Sequence, residues 1–170
     1  PIVPLMVENE LGGALRHYEE KERCIYCDIL KQEVDMGEQR IVTQNKDFIV
    51  LAPFAPRFPF ECWLFPKFHS SRYEKTNQAQ LKTLAFILKD ILLRLFMVLN
   101  NPSFNFMLHT APCREDRKNG IFYEEYYHWH LEIIPRLVTP AGFEWGSGFY
   151  INPTSPEDAA RYLREAKPNA

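Results

Sequence analysis

The chain has 170 residues, 46% of them hydrophobic and 14% aromatic, enough apolar side chain for one packed domain and too much for global disorder. Its 20 lysines and arginines nearly balance 22 acids, for a formal charge of −2. That excludes the broad basic field of a nucleic-acid binder and the polybasic helix of a membrane-surface protein, and the apolar run Leu95 to Leu99 is far too short to span a bilayer.

The opening "PIVPLMVENE" lacks the basic start and long apolar core of a signal peptide. The four cysteines are therefore expected to be reduced, and the protein cytoplasmic. A start at Pro1 rather than Met is expected of a chain that is processed or excised from something longer. Residues 7–20 predict a short helix in spite of Gly12 and Gly13, and "CIYCDILKQEV" a helical turn after its second cysteine. "RIVTQNKDFIVLAPF" reads as a hairpin, because two β-branched runs flank the polar "QNKD". "RFPFECWLFPKFH" supplies a third strand. Residues 77–99 form the longest helix, with Leu81, Leu84, Leu88, Ile91, Leu92, Leu95 and Leu99 at three- and four-residue steps, and Asn100-Asn101-Pro102 ends it.

"FNFMLHTAP" predicts a fourth strand, 111–125 a polar loop, and "YYHWHLEIIP", residues 126–135, a fifth strand. "GFEWGSGFYINP" reads as a glycine-rich extended segment. "SPEDAARYLREA" is a helix capped by Ser155, with Pro156 in its first turn. The order predicts an α+β fold, an antiparallel sheet covered on one face by the long helix. Residues 1–20 are expected to be a helical arm, 21–137 the main domain and 138–170 an extension.

In the fifth strand alternate side chains share a face, so His128, His130 and Glu132 point one way and Trp129, Leu131 and Ile133 the other. Cys24 and Cys27 have the C-x-x-C spacing that brings two thiolates to one ion, and zinc asks for two further ligands. His69, closing "PKFH", and His128, opening the fifth strand, complete a closed Cys2His2 centre of structural type. The alternatives for Cys24 and Cys27 are a redox pair or two packed thiols. Cys62 is expected in the core, Cys113 as an incidental loop thiol and His17 in solvent.

The order C-x-x-C-D-I, a strand ending in PKxH, a long helix and an H-x-H strand resembles the histidine-triad (HIT) superfamily. Within it, "LAPFAPRFPFECWLFPKFHSSRYE", "YYHWHLEIIPRL" and "AGFEWGSGFYINP" resemble the C-terminal half of galactose-1-phosphate uridylyltransferases, over about residues 4–166. The resemblance implies an HIT-like sheet and a zinc-binding half of a dimeric enzyme of galactose metabolism. Its chemistry is a double displacement in which a histidine carries a nucleotidyl group between hexose 1-phosphates.

The catalytic positions carried over are His130, at the nucleophile's place, and Glu132, where the family's phosphate-contacting residue is glutamine or histidine. Glu132 departs from that pattern, because a carboxylate repels phosphoryl oxygens. Pro53 stands where relatives carry a ribose-binding acid. His109 stands where nucleotide-hydrolysing relatives have asparagine. In some relatives three histidines, here His109, His128 and His130, instead hold an iron with a glutamate from the other half; this scheme competes with zinc for His128. Phe143 and Glu144 match residues lent to the partner subunit's sugar site. The expected function is thus the mainly structural, sugar-contacting half of a nucleotidyltransferase acting on nucleotide sugars. The alternatives are a self-contained HIT-type nucleotide hydrolase or transferase using His130, and a non-catalytic zinc-stapled dimerisation module.

Overall fold

Why "FIVL" is apolar at four successive positions becomes clear from what lies on either side of it. The computed structural model describes residues 4–112 and 117–168. In it β2 (Phe48–Leu51), inside a five-stranded sheet, is buried on both of its faces, so a strand with no polar face is the expected sequence. The sheet comprises β1 (Ile41–Gln44), β2, β3 (Cys62–Pro66), β4 (Phe104–His109) and β7 (His130–Pro135), in the order β1-β2-β3-β7-β4 with every neighbour antiparallel. A small hairpin of β5 (Arg117–Lys118) and β6 (Ile121–Phe122) stands apart.

On one face, Phe48, Val50, Cys62, Leu64, Trp129, Leu131 and Ile133 pack under two helices, α3 (Gln78–Leu99) and α6 (Pro156–Glu165). α3 contributes Ile87, Ile91 and Leu95, and α6 contributes Ala160 and Leu163. The four-residue steps from Ile87 to Leu95 are the helical stripe read from the sequence. Asn77 starts α3 with a capping box: its side chain accepts from the Gln80 amide at 2.9 Å and the Gln80 side chain returns the favour. Asn100 ends it in the left-handed region. Ser155 caps α6, whose last carbonyls, on Leu163 and Ala166, accept from Arg94 of α3 at 2.9 and 2.8 Å.

The second face is also covered. α1 (Leu5–Lys21) and α2 (Ile25–Asp35) lay Leu11, Ala14, Leu15, Tyr26 and Leu30 against Ile49, Leu51 and Phe65. The sheet is therefore sandwiched between helix pairs rather than covered by the long helix alone. β4 is an edge strand, with Phe106 and Leu108 exposed.

Several local expectations need correction. The turn after Cys27 is part of an eleven-residue helix that begins between the cysteines, with Cys24 as its N-cap. The fifth strand starts at His130 rather than Tyr126. Residues 123–126 form the helical turn α4 (Tyr123–Tyr126), which lets Tyr123, Tyr126 and Tyr127 bury their rings before pairing begins. The glycine-rich segment is not extended at its start: it forms α5 (Gly142–Ser147), closed by Gly148 at φ 74°. Glu144 there accepts from the Ala141 amide at 3.0 Å, a cap that outweighs the helix-weakening glycines. His17 is not free in solvent but pairs with Asp28 at 2.9 Å. Cys62 is fully buried, as its alternation implies, and Cys113 lies outside the described residues.

Candidate functional site

β3 and β7 are antiparallel neighbours with Leu64 opposite Leu131. The chain leaving β3 and the chain entering β7 therefore meet at the same end of the sheet, and they carry His69 and His128. The Trp129 amide donates to the Ser70 carbonyl at 2.9 Å and ties the two segments together. Against them sits the N-terminus of α2 with Cys24 and Cys27. Cys24, Cys27, His69 and His128 form one cluster, each offering a ligand atom within 4.8 Å of all the others. Cys27 Sγ lies 3.3 Å from His69 Nδ1 and 3.6 Å from His128 Nδ1.

The far side of each imidazole is fixed. His69 Nε2 donates to the Glu124 carbonyl at 2.6 Å and His128 Nε2 to the Pro66 carbonyl at 3.0 Å. Both rings thus carry a proton on Nε2 and turn Nδ1 toward the thiols, the outer support that metal-ligating histidines require. The Cys27 thiol is held well below the usual thiol range, first by the hydrogen bond from Cys24 and then by the two histidines, with burial opposing. Cys24 is pushed up by sharing that contact and by burial. Two thiols at a helix N-terminus facing two oriented imidazoles suit a tetrahedral, soft-ligand ion. All four residues expected from the sequence are brought together.

A second cluster lies beside the first. His109 and His130 are directly opposite in the β4–β7 register, and α1 lowers Glu10 onto them. His109 Nδ1 donates to Glu10 Oε2 at 2.7 Å, and His130 Nε2 lies 3.6 Å from Glu10 Oε1. Tyr26 and Tyr127 also donate to Oε1, at 2.7 and 2.9 Å. His130 Nδ1 donates to the His128 carbonyl at 3.1 Å, leaving Nε2 free as an acceptor or ligand.

Burial pushes His130 down to about 4, although Glu10 pulls the other way. Burial would raise Glu10, but the His109 hydrogen bond and the charges of His130 and His109 hold it down at about 2. Burial also opposes charge on His109, yet the Glu10 hydrogen bond raises it above the ordinary histidine value. Three ligand atoms of mixed oxygen and nitrogen type suit a harder divalent ion than the thiol cluster does.

Of the two groupings, His128 lies with the cysteines, and His109 and His130 lie with Glu10. Glu10 was not singled out from the sequence. The available signal was an acid three residues after Val7 and four before Ala14, on the buried stripe of an amphipathic helix, where an unpaired carboxylate is costly.

His130 is 1% exposed and stacks on Phe65 with ring centroids 4.9 Å apart. Glu132, 4% exposed, accepts from Arg57 Nη2 at 2.5 Å. Buried Glu61 holds the Arg57 segment by accepting from the Arg57 amide at 2.8 Å and from Trp63 Nε1 at 2.9 Å. The third place in the His-His-Glu row is thus filled by an internal guanidinium–carboxylate pair. Phe143 and Glu144 lie away from both clusters in sequence, on α5, with Phe143 57% exposed and Trp145 80%.

The family described as Galactose-1-phosphate uridyl transferase, C-terminal domain, matches residues 13–161. An ADP-glucose phosphorylase of Arabidopsis thaliana is 35% identical over 165 residues, which are 97% of this chain and 44% of that protein. A galactose-1-phosphate uridylyltransferase of Thermotoga maritima is 33% identical over 175 residues, covering 98% of this chain and 52% of that protein. A crystal structure of an ADP-glucose phosphorylase from Arabidopsis thaliana with bound ADP-glucose superposes with a TM-score of 0.85 at 34% identity, over 98% of this chain and 51% of that one. A zinc-bound histidine triad family protein from Mycobacterium smegmatis shares the fold, at a TM-score of 0.56 and 17% identity over 84% of this chain and 91% of that one. The chain spans about half the length of the uridylyltransferase and phosphorylase relatives. It has an HIT-like α+β fold and belongs to the galactose-1-phosphate uridylyltransferase C-terminal domain family.

Proposed function

We propose that this chain is the C-terminal half of a nucleotidyltransferase acting on nucleotide sugars and hexose 1-phosphates, and that nucleotidyl transfer takes place on the other half. The supporting observation is the pair Arg57–Glu132. It fills the position beside His130 that a substrate phosphate would need, and His130 itself is enclosed by Phe65, Tyr26 and Trp63. A buried imidazole flanked by a carboxylate is a poor receiver for a phosphodiester. His130 and Glu132 are accordingly read as retained positions of a catalytic row now turned to holding the fold.

The half contributes rigidity and sugar contacts. Cys24, Cys27, His69 and His128 hold zinc, which when bound pins the start of α2 to the ends of β3 and β7. Glu10, His109 and His130 hold a second divalent ion, iron being the candidate, with Glu10 supplied by this chain and His128 left to zinc. Phe143 and Glu144 reach the sugar site of a partner subunit in a homodimer; the exposure of Phe143 and Trp145 on α5 supports that reading. The Arabidopsis relative with bound ADP-glucose supports a nucleotide sugar as the ligand class. Among the described residues no helix is long and apolar enough to cross a membrane.

The test is incubation of the purified chain with UDP-glucose and with ADP-glucose, followed by intact-mass and peptide mass spectrometry. No nucleotidyl adduct on His130 is expected, and a stoichiometric adduct there would overturn the assignment of chemistry to the other half.

A further inference from the structure

The four ligands of the cysteine cluster are unequally sheltered. Cys24 and His128 are buried and Cys27 is half-buried, but His69 is exposed. It lies on the segment that leaves β3, outside any strand or helix, so no ladder of backbone bonds fixes it. A closed site of four ligands releases its ion one ligand at a time, and the exposed imidazole is the one with room to move.

What meets His69 comes from the other side of the cluster. Its ring bonds the Glu124 carbonyl at 2.6 Å. That carbonyl belongs to α4, a helix of four residues, too short to partner its last carbonyls within itself. The side chain of the same residue then crosses back to the segment that carries His69. Glu124 Oε2 accepts from the Ser71 hydroxyl, two residues beyond His69, and Oε1 accepts from Lys75 Nζ at 2.5 Å, on the helical turn Tyr73–Lys75.

The anchor being gripped is itself firm. Ser71 is fully buried, and its carbonyl accepts from the Ala111 amide at 2.9 Å, just past β4. The neighbouring Ser70 carbonyl accepts from the Trp129 amide at 2.9 Å, on the chain entering β7. Lys75 and Glu124 have side chains 56% and 43% exposed, so their ion pair alone contributes little. The bond from the buried Ser71 hydroxyl to a carboxylate is the stronger and more directional part.

We infer that Glu124 is a positioning residue of the Cys24–Cys27–His69–His128 centre: its carboxylate clamps the α4 turn onto the segment leaving β3, and its own carbonyl thereby holds the His69 imidazole facing the thiols. Ser71 and Lys75 act through Glu124, and Glu124 acts through His69 without touching the ion. Supports of this kind behind a metal-bound imidazole change metal affinity by about 10- to 100-fold. The inference rests on the zinc reading above.

The test loads the full chain with Co2+, whose thiolate-to-cobalt absorption reports the cysteine cluster alone, and follows the decay of that band in excess EDTA. Glu124→Ala is expected to release cobalt about 10-fold faster than the parent, and Glu124→Gln, whose amide still accepts and donates, to restore most of the parent rate. Ser71→Ala combined with Glu124→Ala should be no faster than Glu124→Ala alone, because both break one clamp. Ile91→Ala, which lowers stability from the opposite face of the sheet, is the control and should release cobalt at the parent rate. Release as fast from Ile91→Ala as from Glu124→Ala would show that loss of stability suffices, and would overturn the inference. So would a parent rate in Glu124→Ala, or losses that add in the double variant. A parent chain that shows no thiolate-to-cobalt band overturns the zinc reading and this inference with it.

Discussion

His128 and His130 are separated by one residue and share a face, yet they belong to different clusters. His128 Nδ1 is 3.6 Å from Cys27 Sγ, and His130 Nε2 is 3.6 Å from Glu10 Oε1. Two residues of extended chain cover roughly 6.6 Å, enough to seat two ions side by side along the segment entering β7 without a shared ligand. His128→Ala and Cys24→Ser are therefore expected to cost the zinc of the cysteine cluster only, and His130→Ala the other ion only. Metal content by mass spectrometry should fall from two ions per chain to one in each case. Loss of both ions from any one of these variants would sink the independence of the two sites.

How much of this was legible beforehand follows from which contacts are local. The face shared by His128, His130 and Glu132 follows from the period of a strand, and the stripe Ile87, Ile91, Leu95 on α3 from the period of a helix. The cysteine cluster was readable because its ligands carry their own chemistry. Glu10 was not, because its role depends on where α1 crosses the sheet, a tertiary fact with no local signature. Arg57 escaped for the same reason: it lies 75 positions from Glu132, and only the β3–β7 pairing brings them together. The glycine-rich segment misled because a side-chain cap from Glu144 decided the conformation of α5 against the propensity of its glycines.

Tyr26 and Tyr127 donate to the same oxygen of Glu10, and together they hold that carboxylate between two helices and the sheet. A hydrogen bond to a charged group contributes on the order of 1.5–3 kcal/mol. Tyr127→Phe, which removes only the hydroxyl, is expected to lower unfolding free energy by about 1.5–3 kcal/mol in denaturant titrations of the metal-free chain. The same substitution should weaken the second ion's binding, because Glu10 loses part of its anchorage. A variant with parent stability would mean that solvent replaces the tyrosine without loss.

Arg40 is buried and bridges buried Glu33 at 2.8 Å and half-exposed Glu157 at 2.7 Å. Removing it as Arg40→Leu strands the Glu33 carboxylate, and breaking a buried pair in this way costs about 3–5 kcal/mol. The cost depends on pH through Glu157, whose carboxyl is held below its ordinary value of 4.5 by the Arg40 hydrogen bond. A depressed carboxylate adds stability that is present above about pH 4.5 and is lost as pH falls through the lower folded value. Because Glu157 is solvent-accessible, its share is the smaller one. The gap between parent and Arg40→Leu should accordingly be widest near pH 7 and narrow below pH 4.5, measured by urea unfolding at both. A gap that is constant or grows in acid would refute the assignment.

The sandwich makes the last expectation sharp, because the two faces of one sheet do different work. Ile91 of α3 is fully buried in the same apolar cluster as Leu64, Trp129 and Leu131, on the face opposite both metal-ligand clusters. Truncation as Ile91→Ala leaves a cavity there, and such changes cost about 2–5 kcal/mol. Trp129 and Leu131 of the chain entering and forming β7 belong to that apolar cluster, while His128 and His130 are anchored on the other face by carbonyls, thiols and Glu10. Ile91→Ala should therefore lower the midpoint of unfolding and leave Co2+ stoichiometry and affinity at both clusters unchanged at temperatures where the chain is folded. If cobalt affinity fell in step with stability, the polar face would depend on apolar packing behind it, and the two faces would have to be treated as one unit.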